Sequence, residues 1–153
     1  MKDMNQNKEI LVIEDDEDDF IIFKRAFKKS ACTNPIRRFE SGDEALVYFE
    51  KIKNRSTSED CKVPGIILLD LNMPGTDGRT LLKILKADEF LKKIPVIVMT
   101  TSEDPNDINQ CFAEGANAFT VKPNSFAGFI EAIKSLNKYW FDMTVLPKLR
   151  LSI

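Results

Sequence analysis

The amino-acid sequence predicts an α/β domain on a five-stranded parallel sheet, and three observations carry that expectation. Short apolar runs alternate with segments of helical period, the signature of successive strand–helix units. The clearest runs are apolar throughout, as strands covered on both faces should be. Four of the runs also end on polar groups: Glu14-Asp15, Asp70, Thr100 and Lys122.

The elements follow in order. Ile10-Leu-Val-Ile13 is the first strand, and Phe20 to Lys29 the first helix. Acids precede that helix and Lys24, Arg25, Lys28 and Lys29 lie toward its end, a polarity that complements the helix dipole. Pro35 to Glu40 is more polar and reads as a strand near an edge. Ser41-Gly-Asp-Glu44 has capping-box spacing and opens a helix to about Lys51. Lys53 to Pro64 is polar and aperiodic, an exposed loop. Gly65-Ile-Ile-Leu-Leu69 is the most apolar strand, followed by a turn-rich loop containing Pro74, Gly75 and Gly78. A helix is expected from Arg79 to about Phe90, then a strand from Pro95 to Met99 ending at Thr100. Pro105 to Glu114 has Pro in its first turn and Gly115 just past its end, as a helix prefers. Ala118 to Val121 is the fifth strand, and Phe126, Phe129, Ile130, Ile133 and Leu136 mark an amphipathic last helix.

Bulk properties exclude several classes. The chain has 153 residues, enough for one domain to bury a core. Its 22 basic and 24 acidic residues give a formal charge of -2, which offers no broad basic face for nucleic acid. No apolar run is long enough for a bilayer, and Met1 to Glu9 hold no signal-peptide core. Three widely spaced cysteines, Cys32, Cys61 and Cys111, read as reduced thiols, so a cytoplasmic location is expected. The sequence has no histidine, which excludes Ser-His and Cys-His nucleophile pairs and His-bearing zinc sites. It likewise excludes a phosphohistidine donor, leaving chemistry to carboxylates, hydroxyls, Lys and Arg.

In an open α/β sheet, ligands bind beyond the carboxyl ends of the strands. If the strands are parallel neighbours, the four polar ends converge. Three carboxylates placed together need a compensating charge, and a hard divalent cation with oxygen ligands supplies it, usually Mg²⁺ where phosphate is also present. Lys122 can pair with Asp70 or hold a phosphoryl oxygen. A carboxylate beside a cation can attack phosphorus to give an acyl phosphate. Each residue also has an ordinary reading. The acids at 14 to 19 suit a helix start, Asp16 an N-cap, Asp70 a turn cap, and Thr100-Thr-Ser102 a hydroxyl-rich turn. Lys122 suits a surface position and Phe119 plain packing. Those readings would have to hold at four strand ends together.

The motifs Ile10-Leu-Val-Ile-Glu-Asp15, Leu69-Asp-Leu-Asn-Met-Pro-Gly-Thr-Asp-Gly78, Val96-Ile-Val-Met-Thr100 and Gly115-Ala-Asn-Ala-Phe-Thr-Val-Lys-Pro123 resemble the response-regulator receiver family. The resemblance spans about residues 9 to 137. It implies a flavodoxin-like (βα)5 three-layer sandwich with a five-stranded parallel sheet. It makes Asp70 the acceptor of a phosphoryl group from a sensor histidine kinase. Mg²⁺ or Mn²⁺ would be held by Asp15 directly, by Glu14 through water, by Asp70 and by the Asn72 backbone carbonyl. Thr100 and Lys122 would contact phosphoryl oxygens, Thr100 and Phe119 would form the switch, and the bond before Pro123 is a candidate cis peptide. The acidic pair is Glu-Asp rather than the commoner Asp-Asp, and Thr101 stands where alanine is common. The loop at 53 to 64 and the ending Tyr139-Trp-Phe141 with Leu146-Pro147 resemble stand-alone regulators paired with phytochrome-type kinases.

Three other functions compete with this reading. A flavin carrier needs a phosphate-cradling loop after the first strand, where this chain has Glu14-Asp-Asp-Glu-Asp-Asp19, which repels anions. An aspartyl-phosphate hydrolase usually carries a second Asp two residues past its nucleophile, and position 72 is Asn. A docking module without phosphorylation would have no need of Asp70, Thr100 and Lys122 together. Residues 1–8 are expected to form a tail, 9–138 the receiver, and 139–153 an extension with no output domain. Output would then be contact with an unidentified downstream protein rather than nucleic acid or membrane. Tyr139, Trp140 and Phe141 are candidates for a homodimer surface, because aromatics are enriched at interface centres, while Trp140 and Phe141 equally suit packing that completes the last helix.

Overall fold

The computed structural model describes residues 7–54 and 62–149. The expectations for Cys61, and for much of the 53–64 loop and the two chain ends, lie outside them. Five strands form one parallel sheet: β1 (Ile10–Ile13), β2 (Ile36–Phe39), β3 (Ile66–Leu69), β4 (Val96–Thr100) and β5 (Ala118–Val121). Their order is β2-β1-β3-β4-β5, so the polar β2 is an edge strand. The connections are helices α1 (Glu17–Lys29), α2 (Gly42–Lys53), α3 (Gly78–Ala87), α4 (Pro105–Ala113) and α5 (Phe126–Asn137).

Alternation along the buried strands divides the core in two. Leu11, Ile13, Ile67, Leu69, Val96 and Val98 face α2, α3 and α4. Ile10, Val12, Ile66, Leu68, Ile97 and Met99 face α1 and α5, where Phe23 meets Phe129 edge-on with ring centroids 5.0 Å apart. These strands are apolar throughout because neither face is wet. Truncating a side chain as buried as Phe27 would cost about 3–5 kcal/mol, since the space could not close completely.

Local chemistry sets the boundaries. Asp16 caps α1 by accepting from Asp19 N, so the helix begins three residues before the expected Phe20. Ser41 caps α2 by accepting from Glu44 N. Helix α3 stops at Ala87, short of Phe90, because Asp88 turns extended and its carboxylate accepts from Phe90 N and Leu91 N at 2.9 and 2.8 Å. A 3-10 turn over Leu91–Lys93 follows.

A second departure lies after α5. A π-helical turn over Lys138–Met143 continues the chain, and Thr144 N donates back to Tyr139 O at 2.9 Å. It rotates Phe141 inward and returns Leu146 to the same face, so both join the α1/α5 core at 5% and 3% exposure. Phe141 is therefore corrected from interface candidate to core residue, because its ring is spent on its own chain. Trp140 is partly buried and Tyr139 half exposed. Among the described residues no helix is long and apolar enough to cross a membrane.

Strand β1 is where the connections reverse direction: one crossover leads to β2, the next to β3 on the other side. That reversal opens a crevice at the carboxyl ends of β1 and β3. The loop after β3 folds tightly over it. A Cβ added at Gly78 would overlap the Asp70 carbonyl oxygen and lie 2.6 Å from Leu71 Cα, both backbone atoms that cannot step aside. Gly78→Ala should therefore lower stability by about 2 kcal/mol or more in urea unfolding; an unchanged midpoint would show that the loop can yield.

Candidate functional site

The site grows from strand register. Ile13 pairs with Leu69, and Asp70 N donates to Ile13 O at 3.1 Å, so Glu14 and Asp70 leave adjacent strands at one level. Glu14, Asp15 and Asp70 each offer a carboxylate oxygen, all within 4.8 Å of one another. Glu14 and Asp70 are buried, whereas Asp15 lies at the exposed rim. Lys122, buried at the end of β5, reaches over to them. Its Nζ ion-pairs with Glu14, lies 3.1 Å from Asp70 Oδ2 and 2.8 Å from Asp19 Oδ2. Asn72 N donates to Asp70 Oδ1 at 3.2 Å.

Excess negative charge in a dry setting splits the two buried acids. Burial, then the hydrogen bond with Asp70 and its charge, push the Glu14 carboxyl up to about 9 against the pull of Lys122. Burial would raise Asp70 too, but the hydrogen bond with Glu14, the Lys122 ammonium and the Asn72 amide hold it below the usual carboxylate range. Burial works against the Lys122 ammonium, yet hydrogen bonds to Asp19 and Glu14 and the carboxylate charges raise its pKa.

Glu14 Oε2 is buried without a hydrogen-bond partner. Such an atom costs about 1–3 kcal/mol or more. A divalent cation held by Glu14, Asp15 and Asp70 would satisfy it and offset the surplus charge. The all-oxygen donor set suits a hard ion such as Mg²⁺ or Mn²⁺. The residues fit the ion.

Thr100 ends β4, between the strands that carry Asp70 and Lys122, and is fully buried. Its Oγ1 accepts from Ser102 N at 3.4 Å, and its carbonyl accepts from Lys122 N at 2.7 Å. Phe119 sits opposite Val98 in register and packs, partly buried, on the α2/α3/α4 core. The structure thus brings Glu14, Asp15, Asp70 and Lys122 into one cluster, joins Asn72 through its backbone, and sets Thr100 on the strand between.

The Lys122–Pro123 bond corrects an expectation, because no cis peptide occurs among the described residues. Trans is favoured by about 0.5–1 kcal/mol before proline, and Lys122 reaches its carboxylates from the trans backbone. Sequence alone does not mark Asp19 or Arg38 as site residues. Asp19 is one acid in a run of six, and only the first turn of α1 aims it at Lys122. Arg38, on the edge strand, reaches the carbonyls of Glu14 and Asp15. Its one sequence signal is a charge within a strand.

Comparison with known proteins agrees with this geometry. Residues 10–145 match the family model of the response regulator receiver domain. The response regulator Rcp1 of Synechocystis sp. is 28% identical over 143 residues, 94% of this chain and 95% of that protein. The crystal structure of its Mn²⁺-bound form aligns with a TM-score of 0.82 over 92% of this chain and 99% of that one. The phosphorylated cyanobacterial phytochrome response regulator RcpA gives a TM-score of 0.83 at 29% identity, covering 93% of this chain and 99% of its own. RPA3017, a response regulator in red light signaling of R. palustris, gives 0.84 at 35% identity over 92% of this chain and 99% of its own. Strand order, the acidic crevice with its buried lysine, and the family match lead to one conclusion: the chain belongs to the response regulator receiver domains, the phosphoacceptors of two-component signalling.

Proposed function

We propose that Asp70 takes a phosphoryl group from the phosphohistidine of a sensor kinase and that the altered surface is the signal. The observation that carries this is a buried carboxylate held ionised, with a lysine ammonium 3.1 Å from one oxygen and two further acids beside it. In the transfer an Asp70 oxygen attacks phosphorus, the P–N bond breaks, and its electron pair leaves with the donor imidazole. Lys122 turns from Asp70 to a phosphoryl oxygen, and the Thr100 hydroxyl donates to another. Glu14, Asp15, Asp70 and the Asn72 carbonyl would hold Mg²⁺ or Mn²⁺, which would supply charge neutralisation for the transfer. Water attack on the acyl phosphate restores the carboxylate, so the receiver resets itself.

A surface groove of about 250 Å³ lies beside Lys122, lined by Asp19, Ile22, Thr101, Pro123 and Phe126 among others. Likeness to RcpA and RPA3017 favours a phytochrome-type kinase as the donor. A cytoplasmic location suits such a donor and the free thiols of Cys32 and Cys111. Output runs from Thr100 and Phe119 to the α4/β5 side, toward an unidentified downstream protein. A homodimer is centred on Tyr139, Met143 and Val145, which stay 50%, 67% and 57% exposed around the π-helical turn. Trp140 supports this surface from beneath, stacking edge-on against Tyr139 with centroids 5.1 Å apart.

Each part is testable. Asp70→Asn should take up no phosphoryl group from acetyl phosphate and Mg²⁺ in intact mass spectra, with wild-type circular dichroism; full labelling would remove Asp70 as acceptor. Asp15→Asn should bind Mn²⁺ at least about tenfold more weakly by calorimetry, because even groups that only orient metal ligands contribute that much. Unchanged affinity would take Asp15 out of the ligand set. For the dimer, truncation is a poor test because Phe141 and Leu146 belong to the core. Tyr139→Ser combined with Met143→Ser should instead shift sedimentation from dimer to monomer at equal concentration. A monomeric wild type, with or without the acyl phosphate, would dispose of the interface.

A further inference from the structure

We propose that Arg38 is a positioning residue for the divalent cation, fixing the backbone of Glu14 and Asp15 so that their carboxylates meet Asp70. The inference rests on the metal site proposed above and adds a residue outside its ligand set.

Strand β1 ends at Ile13, and α1 begins at Glu17 behind the Asp16 cap. Glu14 and Asp15 fall in the gap, where neither the sheet ladder nor the helix holds their carbonyls. Arg38 lies on the neighbouring edge strand, paired in register with Val12. From there its Nε donates to Glu14 O at 3.0 Å and a terminal nitrogen donates to Asp15 O at 3.3 Å. One rigid fork therefore ties two successive peptide units, both belonging to metal-ligand residues. Lysine cannot do this, because an ammonium is a single point donor without the planar fork.

The guanidinium is itself fixed. Its other terminal nitrogen pairs with Glu17 at 2.5 Å and lies 3.5 Å from Glu40, and the group sits 4.7 Å from the Phe20 ring centroid. Its side chain is only 11% exposed. The two glutamates offset its charge, so its main effect on a nearby cation is geometric.

That distinction makes the idea testable by sign. If Arg38 acted only as a charge, its removal would relieve repulsion and tighten cation binding. If it only stabilised the fold, folded variants would bind with wild-type affinity. Positioning predicts weaker binding once the fork is lost, whether or not a positive charge remains. The experiment is an Mn²⁺ titration of the full chain, followed by the electron paramagnetic resonance of free Mn²⁺, for wild type, R38M and R38K. Thermal melts would run in parallel. R38M and R38K should each bind about tenfold more weakly, the size of effect typical of residues that orient metal ligands. Wild-type or tighter affinity in R38M, or wild-type affinity in R38K, overturns the proposal. Should R38M fail to fold, R38K decides alone. No binding by the wild type would instead reject the metal site itself, so the two failures are told apart.

Discussion

The structure turns on the ion-pair cluster at Lys122. Three carboxylates from three segments, Glu14 after β1, Asp19 in α1 and Asp70 after β3, share one buried ammonium. Glu14 and Asp70 are buried while Asp19 is partly exposed. Buried acids oppose folding unless paired, and removing one partner of a buried pair typically costs about 3–5 kcal/mol. Lys122 makes their gathering tolerable, but one ammonium cannot neutralise three carboxylates. The remainder appears as the raised Glu14 pKa and its unpartnered Oε2. The site is under electrostatic tension that a divalent cation or a proton would relieve, and Asp70 is the member held ionised.

The rest of the fold serves to keep those groups within reach. The two hydrophobic layers lock the central strands in one register, because a slip by one residue would exchange the two faces of a strand. Since Ile13 and Leu69 are locked, the residues after them must emerge side by side. Gly78 allows the loop after β3 to double back against Asp70, and the Arg38 fork holds the loop after β1. Rigid strands thus aim Asp70, while a loop and a helix start carry Asp15 and Asp19.

Communication away from the site has a physical route as well. Thr100 is joined to the end of β5 by a backbone hydrogen bond from Lys122, and Ser102 beyond it donates to Asp107, itself paired bidentately with Arg79 of α3. A shift of Thr100 toward a phosphoryl oxygen would therefore pull on polar contacts that join β4 to α3 and α4. The neighbouring Phe119 is only partly buried and packs against the same α2/α3/α4 core.

The sequence by itself determined the alternation of strands and helices, the edge position of β2, and the four polar strand ends. These are legible because period and apolar runs are local properties that burial on both faces imposes directly on composition. Caps shifted boundaries by a few residues, as Asp16 did for α1 and Asp88 for α3, since a side-chain oxygen competes with helical period at every terminus. Tertiary structure alone decided three matters. It turned Asp19 toward Lys122, brought Arg38 to the acid loop across the sheet, and folded Phe141 and Leu146 into the core through a π-helical turn. Each depends on the direction of a side chain relative to a segment distant in sequence. Composition and spacing carry no record of that direction until the sheet has fixed which loops stand side by side.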